Sequence, residues 1–77
     1  MTIANQVTGI ISKTLGVDWN DVTPEAYIID NLGADDHQVV ALIMVLEEEF
    51  GMEIPDEDSE NLLTVGQLID YVEKRAG

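Results

Sequence analysis

Seventy-seven residues with sixteen Asp or Glu against three Lys or Arg carry a formal charge of −13, and 45% of them are hydrophobic. That apolar fraction is enough for a core, so the chain reads as folded, while the charge repels nucleic-acid phosphates and anionic membranes and favours basic protein surfaces or cations as partners. With no cysteine there is neither a disulfide nor a thiol nucleophile, which fits a reducing, cytoplasmic setting.

The length predicts one domain over residues 1–77 that buries about 60% of the surface its unfolded form exposes. The longest apolar run, Val39 to Leu46, falls well short of the roughly 20 residues that cross a bilayer, so no membrane insertion is expected. Met1 to Ile11 lacks the basic start and apolar block of a secretory signal.

Ile3, Val7, Ile10, Ile11 and Leu15 follow the spacing of an amphipathic helix, with Thr2 placed to cap its start and Gly16 to end it. From Val17 to Ala34 the periodicity disappears among Asp18, Asn20, Asp21, Pro24, Asp30, Asn31 and Gly33, which predicts a long loop with one turn opened by Thr23-Pro24. Trp19, Tyr27, Ile28, Ile29 and Leu32 are expected to pin that loop over the helices. Loops of this length in a small domain are usually functional.

Asp35 is a good N-cap for a second helix, with Gln38 in the capping-box position and Gly51 as the stop after Phe50. At 100° per residue, Val39, Leu42, Ile43, Leu46 and Phe50 share the core face. The opposite face collects His37, Val40, Ala41, Met44, Glu47 and Glu48, apolar knobs ringed by charge that suit docking. The run Asp56-Glu57-Asp58-Ser59-Glu60 predicts a short acidic turn or helix before Leu62 and Leu63 re-enter the core. Thr64 and Gln67 form a capping box for a last helix with Val65, Leu68, Ile69 and Val72 on one face. Lys74 and Arg75 close it at the negative end of its dipole. The expected fold is all-α, a small four-helix bundle of three main helices and a short third one, with the long loop between helices 1 and 2.

Little here points to an enzyme, since no nucleophile and base share a motif. His37 is the only histidine, so a His- or Cys-rich metal site is excluded, and it reads as an exposed first-turn residue. The stretch from Asp18 fails as a calcium loop, because Thr23 stands at position six and Ile29 at position twelve. Carboxylates do crowd both ends of the second helix, Asp30 with Asp35 and Asp36, and Glu47 with Glu53 and Asp56. Weak divalent binding and plain solvation are both open there.

Leu15-Gly16-Val17, Leu32-Gly33-Ala34-Asp35, Leu46-Glu47-Glu48-Glu49-Phe50, Glu53-Ile54-Pro55-Asp56 and Thr64-Val65 occur in an order and spacing that resembles acyl carrier proteins of dissociated fatty-acid or polyketide synthesis. The resemblance covers nearly the whole chain. It implies a monomeric, non-catalytic, cytoplasmic four-helix bundle that presents acyl chains on a phosphopantetheine arm. It implies docking to basic surfaces of synthase enzymes and phosphopantetheinyl transferase through Asp35, His37, Val40, Ala41, Met44, Glu47 and Glu48. It also implies weak divalent binding at Asp30, Asp35, Glu47, Glu53 and Asp56.

The family pattern Gly-x-Asp-Ser-Leu departs here at the residue that matters, because Asp36 stands where the arm-bearing serine belongs. His37 replaces the usual leucine, Gln38 a common acid and Ala41 a common glutamate. Ser12 and Ser59 lie outside the motif, so no phosphopantetheine is expected on this chain. A carboxylate at the first helical position also suits the helix dipole, worth ~0.3–1 kcal/mol. Two functions fit: a carrier locked in its unmodified state by Asp36, and a natural non-carrying paralogue that acts as an acidic docking or regulatory protein.

Overall fold

The computed structural model describes residues 2–76. Four α-helices form in the expected order, α1 (Ile3–Leu15), α2 (Asp36–Phe50), α3 (Asp56–Ser59) and α4 (Val65–Ala76), with a 3-10 turn at Trp19–Asp21 inside the long first loop. Local chemistry sets their ends. The Asn5 N–H donates to Thr2 Oγ1 at 3.1 Å to start α1. The Gln67 N–H donates to Thr64 Oγ1 at 3.2 Å, and the Thr64 N–H to Gln67 Oε1 at 3.0 Å, ahead of α4. Gly16 (φ 67°) and Gly51 (φ 60°) stop α1 and α2 in left-handed conformations where a Cβ would be strained.

Helix α1 packs against both α2 and α4. The predicted faces meet at the centre, where Val7 and Ile11 of α1, Leu42 and Leu46 of α2, and Val65, Leu68 and Val72 of α4 are wholly buried. Ile3, Ile10, Leu15, Val39, Ile43, Phe50 and Ile69 pack half-buried around them.

The loop differs from expectation in which of its side chains are buried. Ile28 and Leu32 are in the core, whereas Trp19, Tyr27 and Ile29 are 45%, 47% and 48% exposed. Trp19 belongs to the 3-10 turn, where its ring lies against Gly9 of α1, and for Tyr27 the cause lies in the backbone. The Ile28 N–H donates to the Leu63 carbonyl at 3.0 Å and the Val65 N–H to the Ala26 carbonyl at 3.1 Å, so Tyr27 and Thr64 form an isolated antiparallel bridge. Extended backbone turns successive side chains to opposite sides. Ala26 and Ile28, on either side of the bridge residue, are therefore buried and Tyr27 is exposed, while Ile29 is exposed in the turn that follows, where the Asn31 N–H donates to the Tyr27 carbonyl at 2.9 Å. Leu63, expected in the core, is half exposed across the same bridge, while Leu62 is half-buried. The turn opened by Thr23-Pro24 does form, with the Ala26 N–H on the Thr23 carbonyl at 3.0 Å.

The short α3 is tied to α4 by a polar strap. The Tyr71 hydroxyl donates to Asp58 Oδ2 at 2.6 Å, Arg75 Nη2 lies 3.3 Å from the same oxygen, and the Arg75 guanidinium sits 4.8 Å from the Tyr71 ring centroid. The hydrogen bond to Asp58, with burial second, raises the Tyr71 pKa above the ordinary tyrosine value of 10.0, and Arg75 opposes it. The folded state thus favours the protonated phenol. The strap's contribution is full below the unfolded tyrosine pKa and fades as pH rises through the higher folded one, when a phenolate would face the Asp58 carboxylate. Denaturant unfolding of the parent and of Tyr71→Phe at neutral pH and above pH 10 is expected to show a stability gap that narrows at alkaline pH. A gap that stays constant or widens there would contradict the strap.

Candidate functional site

Asp35 opens α2 from an extended backbone conformation, and both halves of its capping box are made. The Gln38 N–H donates to Asp35 Oδ1 at 2.8 Å, and the Asp35 N–H to Gln38 Oε1 at 3.2 Å. Glutamine has the acceptor oxygen that a glutamate would use here, so the change from the family's common acid at position 38 leaves the cap intact. Asp36 is then the first residue of the helix, exposed and in the first turn, where the helix dipole favours a carboxylate.

Beside Asp36 lies an apolar groove of about 480 Å³ between the long loop, the first turns of α2 and the segment joining α3 to α4. Tyr27, Ile29, Val39, Val40, Leu62 and Leu63 wall it, and the exposed carboxylates of Asp30, Asp36 and Glu60 also line it. Its walls come from three separate stretches of chain. Tyr27, Ile29 and Leu63 look like inward-facing residues in the sequence, and the bridge at Tyr27 and Thr64 with the turn that follows it brings them to the groove.

The outer face of α2 forms as the helical spacing predicts. His37, Val40, Ala41, Met44 and Glu48 are exposed, with Val40 at 59% and Met44 at 60%. Asp35 is exposed at the same end. Toward the far end, Met44, Glu47, Glu48 and Glu53 line a second, more open hollow of about 610 Å³. Glu47 is the exception on this face. It is half-buried, and its Oε2 accepts the Ile54 N–H at 2.7 Å, bracing the end of α2 to the strand of chain that leads into α3.

Among the described residues, no group of three or more Asp, Glu, His or Cys side chains lies close enough to hold a metal ion. Asp30 and Asp36 share the groove, while Glu47 and Glu53 share the hollow. Asp56 begins α3. The two serines are placed structurally: Ser12 Oγ donates to the Val17 carbonyl at 2.6 Å and Ser59 Oγ to the Asp56 carbonyl at 2.9 Å.

Residues 5–72, which include all of this site, match the family model described as the phosphopantetheine attachment site. The chain belongs to that family. It is a carrier domain of the acyl carrier protein type, and such domains are generally not catalytic themselves. The residues at the start of this carrier domain's α2 do not fit covalent attachment of the arm, because no serine hydroxyl stands there. No helix among the described residues is long and apolar enough to cross a membrane.

Proposed function

We propose that this chain is an acyl carrier protein of fatty-acid or related synthesis in which Asp36 takes the serine's place and keeps the chain unmodified. One observation carries the reading: in a chain matched to the attachment family, Asp36 is the exposed first residue of α2 and lines an apolar groove. Residues 1–77 then act as one cytoplasmic, monomeric domain. Asp35, His37, Val40, Ala41, Met44, Glu47 and Glu48 meet basic surfaces of synthase enzymes and the transferase, where opposite charge speeds encounter and fixes register. Any divalent ions at Asp30, Asp35, Glu47, Glu53 and Asp56 bind weakly and screen the net charge.

Asp36→Ser, incubated with coenzyme A and a phosphopantetheinyl transferase, is expected to gain ~340 Da by mass spectrometry, the covalent arm, while the parent chain gains nothing. A serine variant that stays unmodified with an active transferase would reject the carrier scaffold.

A second function, that of a natural non-carrying docking or regulatory protein, is favoured by the changes at His37 and Ala41, both exposed on the face that holds Val40 and Met44. Either function uses that face. Val40→Ala, Met44→Ala and Glu48→Lys together are expected to weaken pull-down of synthase enzymes at least tenfold, the scale on which interface centres lose affinity when truncated. Unchanged capture would remove the docking face from both.

A further inference from the structure

We propose that Met44 is a reversible oxidation site, at which conversion of its thioether to the sulfoxide by a peroxide weakens docking through the outer face of α2. The inference rests on the reading of that face as the partner surface and names its regulation.

Sulfur chemistry in this chain falls to methionine, because there is no cysteine whose thiol would react first. The two methionines among the described residues differ in access. Met44 is 60% exposed in the middle of α2, whereas Met52 is half-buried and packs against the core, although both line the same open hollow. An oxidant dissolved in water therefore reaches Met44 first.

The step asks nothing of the protein beyond that access. A sulfur lone pair of Met44 attacks one oxygen of hydrogen peroxide, and the S–O bond forms as the O–O bond breaks. The departing hydroxide takes the remaining proton and leaves as water. Sulfur loses two electrons and the peroxide gains them. In the reverse direction, two thiols of a reductase become a disulfide and the oxygen departs as water.

Placement makes the modification a switch. Of the seven residues assigned to the face, only Val40 and Met44 are large and apolar, and they lie one helical turn apart. A sulfoxide converts one of these two knobs into a polar group, whose bound water must be removed when a partner covers it. The core is not involved, since Met44 lies outside the cluster of buried residues and those packed on it. Nor does the charge change. The acidic surface still steers a basic partner, so encounter is preserved while the contact, once made, is released sooner.

The native chain is treated with limiting hydrogen peroxide, quenched with catalase and mapped by peptide mass spectrometry. Met44 is expected to gain ~16 Da, one oxygen, at about three times the rate of Met52 or faster, because access governs the reaction. Binding kinetics are then read on an immobilised, purified phosphopantetheinyl transferase. The off-rate should rise about fivefold or more, while the on-rate stays within about twofold. The thermal midpoint should stay within about 3 °C of the untreated chain. Methionine sulfoxide reductase should restore the off-rate. In Met44→Leu, the off-rate should be the same before and after the dose, whatever its starting value.

Oxidation of Met52 ahead of Met44, an unchanged off-rate in chain oxidised at Met44, or an equal rise in treated Met44→Leu would overturn the switch. So would a loss of binding that tracks a falling thermal midpoint. An untreated chain that does not bind the transferase would reject the docking face and the switch with it. That result is distinct from a chain that docks equally well oxidised and reduced, which removes the switch alone.

Discussion

Leu46→Ala is expected to destabilise the fold by about 2–5 kcal/mol, the cost of removing buried methyl groups and leaving a cavity. Leu46 is wholly buried, as is Leu42 one turn earlier, and both face the wholly buried Val7, Ile11, Leu68 and Val72 in a single core. A domain of this size has roughly 4–12 kcal/mol in total at typical per-residue stability. One truncation therefore removes a large share of it. At roughly 4–8 °C per kcal/mol for domains of this length, the midpoint of thermal unfolding by circular dichroism should fall by about 10 °C or more. Met44→Ala is the contrast on the same helix. Its side chain is 60% exposed, so its loss should stay within about 0.5 kcal/mol. The two melts need one ionic strength, because a net charge of −13 opposes the compact state and added salt screens it. A loss below about 1 kcal/mol for Leu46→Ala would mean that α2 does not face the core as described.

What could be read from the chain alone divides by distance along it. Helix ends are local chemistry: Thr2, Asp35 and Thr64 each cap a backbone N–H three residues on, and each bond forms. Amphipathic faces are equally local, and Val7, Ile11, Leu42, Leu46, Leu68 and Val72 are all buried as their spacing requires. The loop was harder because a long-range bridge decides its inward and outward sides. Nothing near Tyr27 announces that Leu63 will accept the Ile28 N–H and leave the Tyr27 side chain exposed. The groove was invisible for the same reason, since it exists only once loop, α2 and the segment before α4 are brought together. Asp36 is the opposite case: its position at the helix start follows from Asp35 as cap, and its missing hydroxyl is plain in the sequence.

Glu47 is the residue whose role the structure changes most, and a pair of substitutions separates its two roles. Helical spacing puts it on the docking face, yet its carboxylate accepts the N–H of Ile54, a residue 4% exposed, at 2.7 Å. Glu47→Ala leaves that buried donor without its acceptor, an expected cost of about 1–3 kcal/mol. Glu47→Gln keeps an acceptor oxygen while removing the charge, so its cost should be well below that of the alanine variant. Amide hydrogen exchange at Ile54 reports the brace directly. It should speed up strongly in Glu47→Ala and only slightly in Glu47→Gln, and equal acceleration in both would show that charge, not the hydrogen bond, holds the turn. Docking must then be measured on the glutamine variant, because the alanine variant also loosens the turn at Ile54-Pro55 beside the hollow that Met44 and Glu48 share. Enzyme capture that survives Glu47→Gln but falls with Glu48→Lys would assign Glu47 to the fold and Glu48 to the partner.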